Sequence, residues 1–329
     1  MYTGKHFSLK EFLMWTRRDI YVLLLVATIP TVAFKIFKCE WLTIPWVPVA
    51  LVGTAAAFIV GFKNTQTYNR LWEARQIWGA IVNSSRSFAM LIKDNVQSDK
   101  SIHQQIIYSH CAWLTALRFQ LREKRVWENM DQAQNKEYSK WYNKVPEWET
   151  KLEDELAKYL SAEELQYILG KKNRATQLIS LQSKQLKELK ENGKIDPLLF
   201  VEMENLLVNL YEQQGKCERI KNFPYPRQFA SINLFFVWLL VILLPFGMLG
   251  EFKKMGDNFV WLNIPFSVIV SWVFVSMERV GEATENPFEG NANDVPISTM
   301  SRTIEIDLRD MLDEENLPAP LPSTHNIQM

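Results

Sequence analysis

The sequence predicts an all-α membrane protein, with four membrane-spanning helices per chain and a large helical region outside the membrane. Three observations lead to this fold class. Four segments contain no charged side chain. The long stretch between the second and third of them is rich in charge, and its apolar residues recur at three- and four-residue spacing, which is the period of an amphipathic helix. No run of alternating β-branched residues predicts a sheet.

The uncharged segments form two pairs. They are Ile20–Phe34, Trp41–Phe62, Gln228–Gly250 and Asn258–Met277. The last three reach the roughly 20 residues that a helix needs to cross about 30 Å of hydrocarbon. The first is shorter, but Ile36 and Phe37 extend it, and Lys35 can reach the interface with its long side chain. We therefore predict transmembrane hairpins at residues 20–62 and 228–277.

The basic residues predict which parts of the chain face the cytoplasm. Positive side chains flank the predicted spans on one side, at Arg17, Arg18, Lys63, Arg227 and Arg279. The positive-inside rule then places the N-terminal segment 1–19, the region 63–227 and the C-terminal region 278–316 in the cytoplasm. Two lysines in the loop between the third and fourth spans count against this topology, but they are outnumbered.

The predicted cytosolic region reads as a set of helices. Ser101–Glu123 has a helical apolar pattern, and Asp196-Pro197 opens a further helix because proline is favoured in a first turn. A short helix is expected at Thr303–Leu312. The end of the chain, residues 317–329, is rich in proline and is expected to be disordered.

Composition gives no support for an enzyme or a nucleic-acid-binding protein. The 37 basic and 37 acidic residues leave no basic surplus for nucleic acid. Three scattered cysteines form no C-x-x-C pair, and the four histidines lack metal-ligand spacing, so neither a metal nor a cofactor is expected. His110 is interpreted as an ordinary helix residue. No nucleotide-binding or nucleophile motif occurs, and we expect no catalytic residues.

The second span has a pattern that fits a pore. Thr54, Phe58 and Phe62 recur every fourth residue and so share one helix face. Rings of such side chains around an oligomer axis would form a hydrophobic constriction. The alternative is that the two rings face lipid or a neighbouring helix, and spacing alone favours it. Polar residues follow abruptly, and a wet space next to the span would be lined by Asn64, Thr65 and Asn69.

Several motifs in order along the chain resemble the bestrophin family in its bacterial branch. The motifs are Gly61–Thr65, Tyr68–Glu73, Gly215–Pro226, Leu244–Gly247, Val280–Phe288 and Ser301–Ile306. They extend over most of the sequence, from about residue 10 to residue 312.

This resemblance implies a homopentameric channel for monovalent ions with a central pore, in the inner membrane of a bacterium. The pore neck of the family corresponds to Thr54, Phe58 and Phe62, which now favours the pore over the lipid-facing alternative. Family members usually have a larger apolar residue where this chain has Thr54. The second constriction of the family, at the cytosolic exit, corresponds to Leu198, with a buried leucine at a helix start as the alternative.

Animal bestrophins bind calcium through an acidic run after Asn-Pro-Phe. The corresponding segment here is Glu289–Asp294, in which most carboxylates are absent. A calcium site needs about six to eight oxygen ligands, several of them charged. We therefore expect no high-affinity calcium gating, and interpret residues 278–316 as a cytosolic strap that can contact a neighbouring subunit.

Anion conduction, of chloride above all, is the leading hypothesis, with membrane lipids, further copies of the chain and permeant ions as the expected partners. Two alternatives stay open. The same architecture can select sodium or potassium, because ring edges favour anions and ring faces favour cations. The chain can also be a membrane-anchored helical scaffold or sensor without conduction.

Overall fold

The computed structural model describes all 329 residues, and nearly all of the regular structure is helical. Two short 3-10 helices and two isolated β-bridges complete it, without a β-sheet. The α-helices are α1 (Leu9–Lys35), α2 (Trp46–Asn95), α3 (Lys100–Arg122), α4 (Ala133–Tyr142), α5 (Pro146–Glu149), α6 (Leu152–Leu156), α7 (Ala162–Leu169), α8 (Arg174–Glu191), α9 (Pro197–Asn222), α10 (Arg227–Met255), α11 (Asn263–Thr284) and α12 (Ile297–Met311). The predicted all-helical class is confirmed.

Three helices are long and apolar enough to cross a membrane. They lie within Glu40–Asn95, Arg227–Met255 and Asp257–Thr284, and so correspond to α2, α10 and α11. Helix α1, the first predicted span, is not among the helices that are both long and apolar enough to cross a membrane. It nevertheless packs against α10 and α11. Four spans therefore stay a prediction, whereas three candidate membrane helices are observed.

Helix α2 is the longest element. It contains a candidate membrane segment, and its second half packs into the largest apolar core. It continues without interruption from Trp46 to Asn95, a length of 50 residues. At 1.5 Å per residue this helix is about 75 Å long. The predicted boundary at residue 62 therefore falls inside a single helix, because the polar residues that follow Phe62 are compatible with helical structure and include no proline.

The helices of the regions predicted to be cytosolic, which we call the cytosolic helices, share one large apolar core of 36 buried residues. Helix α3 runs through its centre, where Trp113 is completely buried and donates a hydrogen bond to Gln214 of α9 at 2.9 Å. The second half of α2 contributes Trp78 and Phe88, which are also fully buried. This core attaches α2 firmly to the cytosolic helices.

The C-terminal end of the chain is packed against the fold, although its composition predicts disorder. Ile327 and Met329 are buried in a small cluster with Val145 and Ala292. Ile327 also forms a β-bridge with Tyr2, so the two ends of the chain meet. Two apolar side chains next to an apolar cluster are enough to order a proline-rich segment, because its proline residues restrict the unfolded chain and lower the entropy lost on ordering.

Helix α12 begins earlier than the sequence indicates. It starts at Ile297, directly after Pro296, whereas the apolar pattern predicted Thr303 as its first residue. Its first turn is buried against the rest of the fold through Ile297 and Ser298. The pattern missed this turn because its polar residues are buried.

Candidate functional site

Thr54, Phe58 and Phe62 lie on one face of α2, and all three side chains are exposed to differing degrees. The side chain of Phe58 is 76% exposed and that of Phe62 is 47% exposed. Thr54 is exposed as well, and its hydroxyl donates a hydrogen bond to the carbonyl oxygen of Ala50 at 3.0 Å. The sequence-predicted neck residues are therefore together on one surface.

The opposite face of α2 packs closely on α10. Ala56 and Val60 are fully buried there. A Cβ atom at Gly53 would stand 3.5 Å from Leu240 of α10, and one at Gly247 of α10 would stand 2.9 Å from Val49. Small residues allow this close helix packing in lipid. The close contact fixes which side of α2 remains available for other subunits or for ions.

The three predicted vestibule residues do not share a surface. Thr65 and Asn69 are exposed, on the same side of α2 as the neck residues. Asn64 instead turns toward α11, where its Nδ2 donates to the carbonyl oxygen of Met277 at 3.2 Å. One residue along a helix corresponds to a rotation of about 100°, which explains why neighbours in sequence face different partners.

Directly after Phe62 in the sequence, α2 is joined to α11 by contacts that sequence analysis missed. Lys63 Nζ and Glu278 Oε1 are 2.6 Å apart, and both side chains are only 3% exposed. Thr284 of α11 donates a hydrogen bond to Thr67 Oγ1 at 3.0 Å. Gly281 of α11 also lies close to α2, since a Cβ atom there would stand 2.4 Å from Asn64 Oδ1. We call this set of contacts the α2–α11 lock; it comprises Lys63–Glu278, Asn64–Met277, Thr67–Thr284 and the close approach at Gly281.

Leu198 occupies the first turn of α9. Asp196 caps this helix by accepting a hydrogen bond from the Leu198 amide at 2.8 Å, and Pro197 begins the helix. The Leu198 side chain is 79% exposed, so it is not the buried leucine of the alternative interpretation. The side chain is therefore free to contribute to a constriction.

Helices α2 and α9 run antiparallel, which separates Leu198 from the neck. Arg70 of α2 donates hydrogen bonds to the carbonyl oxygens of Ile220 and Phe223, near the end of α9. Just after α2 ends, the amide of Gln97 donates to the carbonyl oxygen of Lys194, just before α9 begins. Because Phe62 of the neck is 33 residues from Asn95 at the end of α2 (95 − 62), the two candidate constrictions are about 50 Å apart along this helix.

One histidine is buried inside the packed region around α3. His110 is fully buried and contacts Gln182 Oε1 at 3.0 Å and Ser85 Oγ at 2.9 Å. Burial lowers the pKa of His110 to about 4, so the ring is neutral at pH 7. No group of three or more His, Cys, Asp or Glu side chains is placed to hold a metal ion. Both ring nitrogens of His110 thus have a partner within the fold.

Comparisons with known proteins identify the family. The chain matches the family model described as Bacterial/Fungal Bestrophin protein over residues 16–310. The chain belongs to this bestrophin family.

Related bestrophins include proteins named for channel formation. The chain is 30% identical to a voltage-dependent anion channel-forming protein of Escherichia coli K12, over 88% of this chain and 86% of the relative. It is 27% identical to one from Ralstonia nicotianae, over 82% and 78%. A solved bacterial bestrophin homologue from Klebsiella pneumoniae superposes with a TM-score of 0.77 at 25% identity, covering 91% of this chain and 99% of that chain. Membership of a channel family of membrane proteins, rather than of an enzyme family, follows.

In this bestrophin, the segment Glu289–Asp294 is buried except for Asn293. Asp294 Oδ2 accepts hydrogen bonds from the amides of Gly290 at 2.8 Å and Asn291 at 3.0 Å. Burial raises the pKa of Asp294 to about 6, although Arg122, at 3.7 Å, opposes this shift. Asp294 therefore closes a turn and faces an arginine. The absence of calcium gating stays a prediction.

Proposed function

We propose that five copies of this chain form an ion channel, with α2 around a central pore that conducts monovalent anions such as chloride. The observation that carries the proposal is the exposed apolar face of α2, on which Phe58 is 76% exposed without a partner in its own chain. The names of the Escherichia coli and Ralstonia relatives support anion conduction. A pentamer is the assembly that the bestrophin resemblance implies.

The neck of the proposed pore is made of Thr54, Phe58 and Phe62. Two rings of phenylalanine side chains exclude water from a narrow passage and so create a barrier for ions. The positively polarised edges of the aromatic rings favour an anion when they point to the axis. Thr54 makes the outermost ring smaller and more polar, so the two phenylalanine rings carry most of the barrier.

Leu198 forms the second constriction, at the cytosolic exit of the same pathway. Its exposure at the start of α9, about 50 Å along α2 from the neck, supports this role. Between the two constrictions, Thr65 and Asn69 line a wet vestibule. Asn64 is excluded from that lining because its amide contacts α11.

The proposed orientation has both termini in the cytoplasm and the spans in the inner membrane of a bacterium. Tyr2 pairs with Ile327, which brings the two termini to the same side of the molecule. The first turns of α1 lie beside α4, where Trp15 Nε1 donates to Asn135 Oδ1 at 3.1 Å. The charge-rich helical region therefore lies on the same side as both termini, as the positive-inside rule requires.

The test is the reversal potential of the purified protein in a planar lipid bilayer under a KCl gradient. A reversal potential near the chloride equilibrium potential supports the proposal. A value near the potassium equilibrium potential would keep the pore but replace anion by cation selectivity. Silence of confirmed pentamers would favour the scaffold alternative, and the mass of the detergent-solubilised complex tests the pentamer separately.

A further inference from the structure

The α2–α11 lock lies directly below the proposed neck. Lys63 follows Phe62 in the sequence, yet its ammonium group is buried against Glu278 while the Phe62 ring is half-exposed. Since one residue corresponds to a rotation of about 100°, a fixed position of Lys63 also fixes the direction in which Phe62 points. The lock thus adds to the α10 contacts of α2 and holds the rotation of this helix at the level of the second phenylalanine ring.

The chemistry of the lock fits positioning better than stabilisation. Burial of an ion pair carries a large desolvation cost, and the best-attested benefit of such pairs is a defined register. The cost is only partly offset here, because Glu278 Oε2 and Asn64 Oδ1 accept no hydrogen bond from the protein. Lys63 and Glu278 each directly follow a predicted span, so the ion pair lies at the expected edge of the membrane rather than within it.

Close packing at Gly281 adds a steric component to the lock. A Cβ atom at this position of α11 would stand 2.4 Å from Asn64 Oδ1 and 3.4 Å from Lys63 Cε. A side chain at this position would force the Asn64 amide to move from its present place. The position of the Asn64 side chain against α11 therefore has a steric component in addition to its hydrogen bond.

We propose that the α2–α11 lock holds the Phe62 ring in the neck, and that Lys63 and Glu278 are positioning residues for conduction. The inference rests on the proposed channel function. If the lock is broken, α2 rotates to bring Lys63 toward water, and Phe62 leaves the neck. The same rotation brings a ring of five ammonium groups to the base of the neck.

The first test is Glu278→Gln, which leaves the Lys63 ammonium buried without a counterion. We expect the single-channel conductance to rise by about threefold, because a hydrophobic ring is removed from the constriction. The permeability of chloride relative to potassium should also rise, since the ammonium groups attract anions. Exchange of the two charges in Lys63→Glu/Glu278→Lys should restore both values toward wild type.

The second test is Gly281→Ala, which forces the Asn64 side chain from its place against α11 without a change of charge. Conductance should rise by about twofold through the displaced Phe62 ring, whereas the chloride-to-potassium ratio should stay at its wild-type value. This variant keeps the inference testable if Glu278→Gln does not assemble. A purely structural role of the lock predicts lower yield or thermal stability with wild-type conduction in every pentamer that forms.

The matched control is Asp19→Asn. Asp19 pairs with Arg279 of α11 through a contact of 3.0 Å, so this change breaks a similar ion pair between α1 and α11 without touching α2. It should leave conductance and selectivity unchanged. Wild-type conduction in both Glu278→Gln and Gly281→Ala, or equal effects of Asp19→Asn, would overturn the inference while the channel itself stands. A silent wild-type protein would instead overturn the proposed function.

Discussion

The two halves of the continuous helix α2 differ in whether their large apolar side chains are exposed or buried. In the half that is predicted to lie in the membrane, called the membrane half, Phe58 is 76% exposed. In the half that is predicted to be cytosolic, called the cytosolic half, Trp78 and Phe88 are fully buried in the 36-residue core. The comparison teaches that the cytosolic half is stabilised by its own chain, whereas the membrane half presents apolar groups to lipid, ions or other subunits. The exposed face of the membrane half can therefore be altered without loss of the fold.

The largest effect is expected in the cytosolic half. Trp78→Ala should lower the free energy of unfolding by about 3–5 kcal/mol, because a large buried side chain is replaced by a cavity. Trp141→Ala is the control, since Trp141 is 61% exposed on α4. Denaturant titration in detergent, followed by tryptophan fluorescence, measures both. Equal losses for the two variants would contradict the described core.

A pH effect on stability should also arise from the cytosolic half. Burial lowers the pKa of His110 from 6.5 to about 4, so the unfolded chain takes up a proton below about pH 6.5 while the folded chain stays neutral. Stability should therefore be constant above pH 6.5 and fall by about 3 kcal/mol between pH 6.5 and 4. Unfolding curves measured across this pH range give the free energy of unfolding at each pH. In His110→Gln, this free energy should no longer show the fall of about 3 kcal/mol between pH 6.5 and 4. An unchanged fall would exclude His110 as its source.

In the membrane half, a similar truncation should affect conduction and leave stability nearly unchanged. Phe58→Ala should raise single-channel conductance by about tenfold, which corresponds to about 1.4 kcal/mol removed from the barrier in the neck. Phe235→Ala on α10 removes an equally exposed ring, 66% exposed, from a face that is not in the neck. Planar-bilayer recordings that show equal currents for both variants and wild type would remove Phe58 from the neck.

A smaller effect is expected at the far end of the pathway. Leu198→Ala should change the permeability of a large anion such as thiocyanate relative to chloride by about twofold, because the exit aperture is wider. The open probability should stay the same. Val126→Ala, which truncates a 99% exposed side chain outside the pathway, is the control. Identical permeability ratios in all three proteins would contradict a constriction at Leu198.

The smallest effect is expected from calcium. Addition or chelation of calcium should leave the currents unchanged, since Asp294 closes a turn beside Arg122 and the neighbouring segment has few charged oxygen ligands. Currents recorded in buffered micromolar calcium and in chelator measure this. Strong activation by micromolar calcium would show that the buried acidic groups can be reorganised into a metal site.

Local patterns predicted the class of fold and one surface of the candidate site. The three long uncharged segments correspond to α2, α10 and α11, because length and hydropathy are properties of contiguous residues. The four-residue spacing of Thr54, Phe58 and Phe62 predicted a common face for the same reason, since a helix repeats every 3.6 residues. The first segment was harder to interpret because it is short and begins next to charges.

Contacts between distant segments were not accessible to such patterns. Lys63 and Glu278 are 215 residues apart, and each alone looks like an ordinary flanking charge of a span. Asn64 was grouped with Thr65 and Asn69 by proximity in sequence, but its amide is directed toward α11. Ile327 and Met329 are buried only because they pack on Val145 and Ala292, which belong to distant parts of the chain.

The sequence by itself therefore determined the helices, their apolar segments, the family and the face that carries Phe58 and Phe62, because these depend on residue type and on the period of a helix. Only the tertiary structure decided how α2 is rotated against α11, which neighbour of Phe62 is buried and where the C-terminal segment packs. The physical reason is that burial and ion pairing depend on which helices meet. That choice is made by the free energy of the whole fold rather than by any single segment.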